Sequence, residues 1–434
     1  MRHFELILLA IYGVLGPNLW GIYCVTMVLG RRRLMLMKKT PIKGDPPQVT
    51  ILIPAKDEGE RIRACILSVL DQDYPNFDVI TIDDRSTDNT GAVMDEIAST
   101  HSKMSVLHIT EPPGPGWTGK NNALFQGTKR AGGKWILLVD SDVVLKPDAL
   151  TTAMSVVLRK EFDMLSLLPR IESHSFFEGL LIPLAGAAAS TMYVIALNNS
   201  NDFPKTAFAN GQFMLIKRTA YDQIGGHETV KDRFCEDIAI ARVMKGHGLR
   251  PRVSWGNDYC SVRMYASLGA IIRGWSRIYF AARVGSPWRI ILALLFVMVC
   301  GLSVYPALGW GIYRTIHPVA EWSGLIGNLA HRFLGPVWLI NAWLHFVLLN
   351  VALRRVYKWS GNSAKYALFF PISGPMLSYI FYRGLKLCVT RKIEWRGTAY
   401  SHVMQTIPHE RGAGTGVSTA TQQESQRQAS QPAA

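Results

Sequence analysis

The chain has 434 residues, 47 Lys and Arg against 32 Asp and Glu, and a formal net charge of +15. Yet 48% of the residues are hydrophobic, only 18% are charged, and the mean hydropathy is +0.11. Counted by segment, residues 45–289 carry 27 basic and 27 acidic side chains, whereas the excess lies at 31–44 and after 290. Nucleic-acid binding needs a basic face on a folded domain, so no nucleic-acid partner is expected. Six cysteines form no C-x-x-C pair and show no metal-like spacing with His. They read as reduced, mostly buried thiols facing the cytosol.

The first element, residues 6–30, is uncharged over 25 positions and ends in Arg31-Arg32-Arg33. At a rise of ~1.5 Å per residue it reaches ~37 Å, enough for a hydrocarbon core of ~30 Å. It reads as an N-terminal transmembrane anchor (1–30), not a cleaved signal, because the basic cluster follows the apolar run instead of preceding it. The triple Arg places the following domain in the cytosol.

From residue 49 short apolar runs alternate with helix-capable stretches. VTILIPA (49–55), DVITIDD (78–84), SVLHIT (105–110) and WILLVDSD (135–142) read as strands, with helices around 58–71, 89–100 and 119–131. That order predicts an α/β domain, a mostly parallel sheet covered on both faces, over 45–285. Ligands in such sheets bind beyond the carboxyl ends of the strands. Three of the four strands end in acid: Asp57-Glu58, Asp83-Asp84, and Asp140 with Asp142. Any one of these is expected as a helix cap or turn residue, and Asp88 fits that role. Asp140-Ser141-Asp142 fits it less well: strand alternation puts both carboxylates on one side, where they can hold a hard divalent ion gripping a diphosphate.

Residues 179–198 are as uncharged as a transmembrane helix. A crossing there would separate the acidic motifs on its two sides, so a buried or interfacial helix is expected. Asn210-Gly211-Gln212 precedes the strand-like FMLIK and reads as a pocket segment or a turn. Asp237 opens a helix-like run as N-cap or as a functional acid. Segment 267–283, with Arg273 and Trp275, has helical spacing. It suits an interfacial amphipathic helix.

The C-terminal region (290–390) offers spans near 290–313 and 333–353. A further stretch, 366–382, has Pro371, Gly374 and Pro375 in its middle and is expected as a broken, re-entrant or surface-lying segment. That geometry leaves 391–411 in the cytosol. The tail 412–434, with no aromatic residue, is expected to be disordered. Basic residues beside these spans orient the chain and can bind anionic headgroups.

P-A-K-D-E (54–58), D-D-R-S-T-D (83–88), G-K-N-N-A-L (119–124), D-S-D (140–142) and C-E-D (235–237), in this order, resemble the motifs of family 2 glycosyltransferases with a GT-A fold. The anchor, the R-M-Y…R-G-W segment (263–275), the C-terminal spans and I-E-W-R-G-T-A-Y (393–400) resemble bacterial membrane glycosyltransferases of carotenoid and hopanoid pathways. The resemblance implies an inverting transferase in the bacterial inner (plasma) membrane that moves one sugar from a nucleotide-sugar, UDP-linked, to a lipid acceptor hydroxyl. It assigns Glu58 and Asp84 to the ribose and base, with Pro54 shaping the turn. Asp140 lies near ribose and metal, Asp142 ligates Mg2+ or Mn2+, and Lys120 lies beside the phosphates unless it is a solvated helix-start lysine. Asp237, beside Glu236, is the general base. Arg273 stabilises the departing diphosphate and Trp275 walls the sugar site. Ile272-Arg273-Gly274-Trp275 stands where processive polysaccharide synthases carry Q-x-x-R-W, which disfavours that alternative. A non-catalytic membrane scaffold and a nucleotidyltransferase are the remaining readings.

Overall fold

The computed structural model describes residues 2–33, 35–193, 195–201, 203, 206–282, 287–317, 325–390, 393–395 and 398–400. The expected tail (412–434) and most of 391–411 lie outside these residues.

Val49–Ala55, Phe77–Asp84 and Trp135–Val139 are largely apolar runs, mostly buried, and with the half-exposed edge strand Met104–Ile109 they form strands β2 to β5 in chain order; Met35–Leu36 precedes them as β1. Val143–Leu145 (β6), Met164–Leu168 (β7), Arg170–Ile171 (β8), Phe213–Lys217 (β9), Pro251–Trp255 (β10) and Cys260–Val262 (β11) follow. Eight strands make one sheet in the order β1-β10-β7-β9-β5-β2-β3-β4, in which only β9 runs antiparallel to its neighbours. The remaining three form a small sheet, β6-β11-β8. Helices Ile62–Leu70, Thr90–Ala98 and Ala149–Lys160 cover one face and Gly119–Arg130 and Glu236–Gly246 the other. The chain order of strand and helix thus yields the layered sheet that the pattern predicts.

One detail differs. The fourth predicted strand stops at Val139, and Asp140–Asp142 form a turn closed by Val143 N–H on Asp140 C=O (3.1 Å). A tight turn, not strand alternation, brings the two carboxylates to one side.

Among the described residues, three helices are long and apolar enough to cross a membrane: Phe4–Leu29, Pro287–Ile316 and Phe333–Trp359. The first contains a π-helical turn, Val14–Asn18, around Pro17. The apolar stretch expected at 179–198 forms the helix Phe176–Tyr193, whose Leu180–Ile182, Leu184 and Ala185 are buried in one cluster with Ile271, Trp275 and Leu353. It is held by its neighbours: Tyr279 and Tyr357 donate hydrogen bonds to the carbonyls of Ala185 and Leu180 (2.7 and 2.8 Å). The segment at 366–382 is not broken in its middle. A 3-10 turn, Ala364–Phe369, precedes a continuous helix, Phe370–Thr390, that carries Pro375 inside it. Pro371 falls in the first turn of that helix, where its missing N–H leaves no bond unmade. Beyond it, Ile393–Trp395 and Thr398–Tyr400 pair as a short antiparallel hairpin.

Candidate active site

The carboxyl ends of β2, β3 and β5 share one rim. Because β9 is antiparallel to β5, with Phe213 opposite Val139, the residues just before Phe213 reach that rim too. The rim opens into a cavity of about 1060 Å³.

Each acidic pair is divided between cavity and scaffold. Glu58 lines the cavity, whereas Asp57, at φ 53°, turns away and accepts the Thr87 N–H at 2.7 Å. Asp84 lines the cavity and takes the Arg85 guanidinium (2.8 Å), whereas Asp83 accepts the Ser86 N–H and meets His108 (3.0 and 3.1 Å). Period-two alternation along β3 explains the second division. Asp88 is structural, as its position implied: it accepts the N–H groups of Gly59 and Thr90 and so ties the loops after β2 and β3 together. Pro54, Asp140, Ser141 and Asp142 complete this wall.

Thr118 caps the helix Gly119–Arg130 by accepting the Asn121 N–H (3.3 Å). The helix start packs so closely on the rim that a Cβ at Gly119 would stand 2.7 Å from Asp84 Oδ2. Lys120 then reaches across the cavity. Its Nζ lies 2.7 Å from Asp140 Oδ1 and 2.7 Å from Glu236 Oε1. Burial alone would lower its pKa, but the two carboxylates outweigh burial and raise it. Asp142, by contrast, forms no ion pair among the described residues. Burial first, then the charges of Asp140 and Glu58, push its carboxyl up to about 7.

Glu236 and Asp237 begin the helix Glu236–Gly246. Asp237 accepts the Gly211 N–H (2.8 Å) on Oδ2 and the Ile238 N–H (2.7 Å) on Oδ1. Burial and the adjacent Glu236 nevertheless raise its pKa to about 7. Its N-terminal position is thus both cap-like and directed into the cavity.

The opposite end of the cavity is apolar. Tyr23 and Met27 of the first span, Gly186 and Ala187 of the Phe176–Tyr193 helix, Trp275, and Val356 at the end of the third span line it. Trp275 is buried against Tyr279 (ring centroids 5.8 Å apart) and lines the cavity. Arg273 is not: it is exposed, folds back beside Gly269 and lies outside the cavity wall. One helical turn further, Arg277 lines the cavity instead. The motif spacing pointed to the correct helix, but positions 273 and 277 share a face one turn apart along the axis, and only 277 reaches the cavity.

One contributor, Asn121, escaped the sequence reading, and Gly211 belongs to the segment read as pocket or turn. Asn121, a fully buried neighbour of Lys120, donates to the carbonyls of Val230, Lys231 and Arg233 (2.7, 3.1 and 2.9 Å) and so fixes the loop that delivers Glu236 and Asp237. Its signal was the second polar residue of G-K-N-N-A-L. Gly211 holds Asp237 by its backbone, and a Cβ there would stand 3.3 Å from Lys120 Nζ.

A divalent cation fits the charged end. Among the described residues no three His, Cys, Asp or Glu side chains are grouped to hold a metal alone. Two adjacent carboxylates, one of them destabilised by its anionic neighbours, match Mg2+ or Mn2+ completed by substrate phosphates and water.

Residues 46–255 match the family model described as "Glycosyltransferase like family 2". The stretch that carries the acidic rim is thus similar to a family 2 glycosyltransferase domain, and its layered sheet is of the GT-A type. A curated relative, 4,4'-diaponeurosporenoate glycosyltransferase of Staphylococcus aureus (strain USA300), is 27% identical over 390 residues, 87% of this chain and 94% of the relative. Among solved structures, the mannosyltransferase PcManGT from Pyrobaculum calidifontis, in complex with GDP-Man and Mn2+, aligns with a TM-score of 0.50 at 17% identity, over 90% of this chain and 99% of that one.

Proposed function

We propose that the chain is a membrane-anchored, inverting glycosyltransferase that moves one sugar from a nucleoside diphosphate donor, UDP-linked by the motif resemblance, to a lipid acceptor. The observation that carries this reading is a single cavity with carboxylates and Lys120 at one end and span residues Tyr23, Met27 and Val356 at the other. The staphylococcal relative is named for 4,4'-diaponeurosporenoate, and an elongated apolar acceptor of that kind suits the apolar end.

Glu58 and Asp84 are placed to accept hydrogen bonds from ribose and base. Asp142, with Asp140, would hold a divalent ion, which when bound offsets the diphosphate charge as a Lewis acid. Lys120 adds a second positive charge on the leaving-group side. Asp237 takes the proton of the acceptor hydroxyl. The oxygen then attacks the anomeric carbon from the face opposite the diphosphate, and the anomeric C–O bond breaks with its electron pair leaving on phosphate. One displacement gives inversion. A carboxyl whose pKa lies near 7 is matched to proton abstraction at neutral pH. Orientation follows from the positive-inside rule, which keeps the domain on the cytosolic side of the bacterial inner membrane, against its anionic headgroups.

The test is nucleoside diphosphate release by the purified full-length chain, with UDP- and GDP-sugars, Mg2+ or Mn2+, and extracted bacterial lipids. Release that needs both lipid and metal, and is lost in Asp142→Asn, supports the reading. No release from any donor overturns it. Product chemistry separates two acceptor types: a hydroxyl gives an alkali-stable glycoside, whereas a carboxylate gives an alkali-labile ester and leaves Asp237 no proton to take.

A further inference from the structure

A second concavity, of about 420 Å³, lies on the outside of the helical region, between the first and third spans. Asn18, Gly21, Val25 and Thr26 form one wall, and Leu344 and Leu348 the other. Thr26 also lines the catalytic cavity, so that one residue borders both spaces. The same helices bound both: Asn18 to Thr26 and Leu348 to Val356 are each eight residues, ~12 Å of helix rise. A chain lying in the groove and passing Thr26 would run from the middle of the first span, Phe4–Leu29, toward the catalytic cavity.

Two local features shape it. Gly21 removes a side chain where the helices face each other, with Leu348 Cδ1 only 3.8 Å from a would-be Cβ. At the deep end the π-helical turn Val14–Asn18 presents Asn18 exposed. Asn341 and Asn350 of the third span donate their amide N–H groups to the carbonyls of Val337 and Phe346 (2.9 Å each), and Asn350 Oδ1 is buried without a partner among the described residues. Among the described residues Asn18 has no hydrogen-bond partner, and an amide in hydrocarbon requires one.

We infer that this groove is the binding site for the chain of the lipid acceptor. It takes an elongated apolar molecule whose transferred end lies in the catalytic cavity and which carries a second hydrogen-bonding group at the depth of Asn18. The inference rests on the lipid-acceptor reading above.

The test uses the full-length enzyme in lipid nanodiscs with 1-octanol, 1-hexadecanol and 1,16-hexadecanediol as acceptors, and a hexadecanol with a terminal diazirine as photoprobe. Gly21→Leu fills the groove, improves helix propensity and touches no catalytic group. It should lower kcat/KM for hexadecanol about tenfold and leave octanol within about twofold. The photoprobe should mark residues 18–26 or 344–348 in the unaltered enzyme and lose that labelling in Gly21→Leu. The diol should be preferred over hexadecanol, and Asn18→Leu should erase the preference. Equal losses for octanol and hexadecanol, or adducts confined to other segments, overturn the groove assignment; a diol preference that survives Asn18→Leu overturns the role of the amide. If no alcohol is glycosylated, the transfer reading is decided by the extracted-lipid assay above, and the photoprobe still decides the groove.

Discussion

At the charged end of the cavity, each functional group sits on a loop or helix start at one edge of the sheet: Glu58 after β2, Asp84 closing β3, Asp140 and Asp142 after β5, Lys120 and Asp237 in the first turns of their helices. At the apolar end, the wall is assembled from helices that begin at residues 19, 176, 268 and 325. The first end is made by local sequence and one sheet, the second by packing between distant segments. Charged chemistry is therefore concentrated in short motifs, whereas acceptor fit is spread over the chain, and damage to the two ends should look different.

The largest expected effect is at Asp237. Asp237→Asn should lower kcat by ~10²–10⁴-fold while donor affinity holds, because a positioned base contributes that much. Donor binding by calorimetry beside steady-state kinetics checks both halves of the statement, and a comparable loss of donor binding would break the division between the ends. Asn121→Ala should follow, at about ten- to a hundredfold in kcat. It frees the loop that positions Asp237 without touching substrate. The readout is a kcat loss larger than any change in donor KM, measured where thermal unfolding shows the variant folded.

Glu236→Gln sharpens the comparison through pH. Burial, then the Glu236 charge, raises Asp237 to about 7. Removing that negative neighbour makes ionisation easier, so the acidic limb of the kcat profile should move to lower pH. A limb that stays fixed would assign it to another group. The smallest effect belongs to Arg273→Ala, within about twofold of the unaltered rate, as for an exposed surface site. A larger loss of activity in Arg273→Ala than in Arg277→Ala would return the diphosphate role to the exposed residue.

The same contrast explains what could be read beforehand. Val49–Ala55 and Phe77–Asp84 announce themselves as apolar runs closed by acid, and order alone supplied the parallel sheet. The five motifs supplied the charged end, including Glu58, Asp84, Lys120 and Asp237. Legibility ended where position depends on rotation or distant packing. Arg273 and Arg277 differ by one turn of the same helix, and no periodicity in the segment says which one faces a cavity closed by Met27 and Val356. Asp57 and Asp83 look equivalent to their neighbours in sequence, and only the φ of Asp57 and the alternation of β3 send them to structural partners. Asn210-Gly211-Gln212 was legible as pocket or turn, but not that the Gly211 backbone N–H would hold Asp237.

Lys120 has a thermodynamic consequence. One ammonium group bridges Asp140, on the donor side, and Glu236, on the acceptor side. A diphosphate that draws Lys120 toward itself loosens its hold on Glu236 and alters the charge felt by Asp237. Binding free energies are reciprocal, so whatever factor donor binding imposes on acceptor affinity, the acceptor must impose on the donor. The two substrates then sense each other through one methylene chain, without any domain having to move.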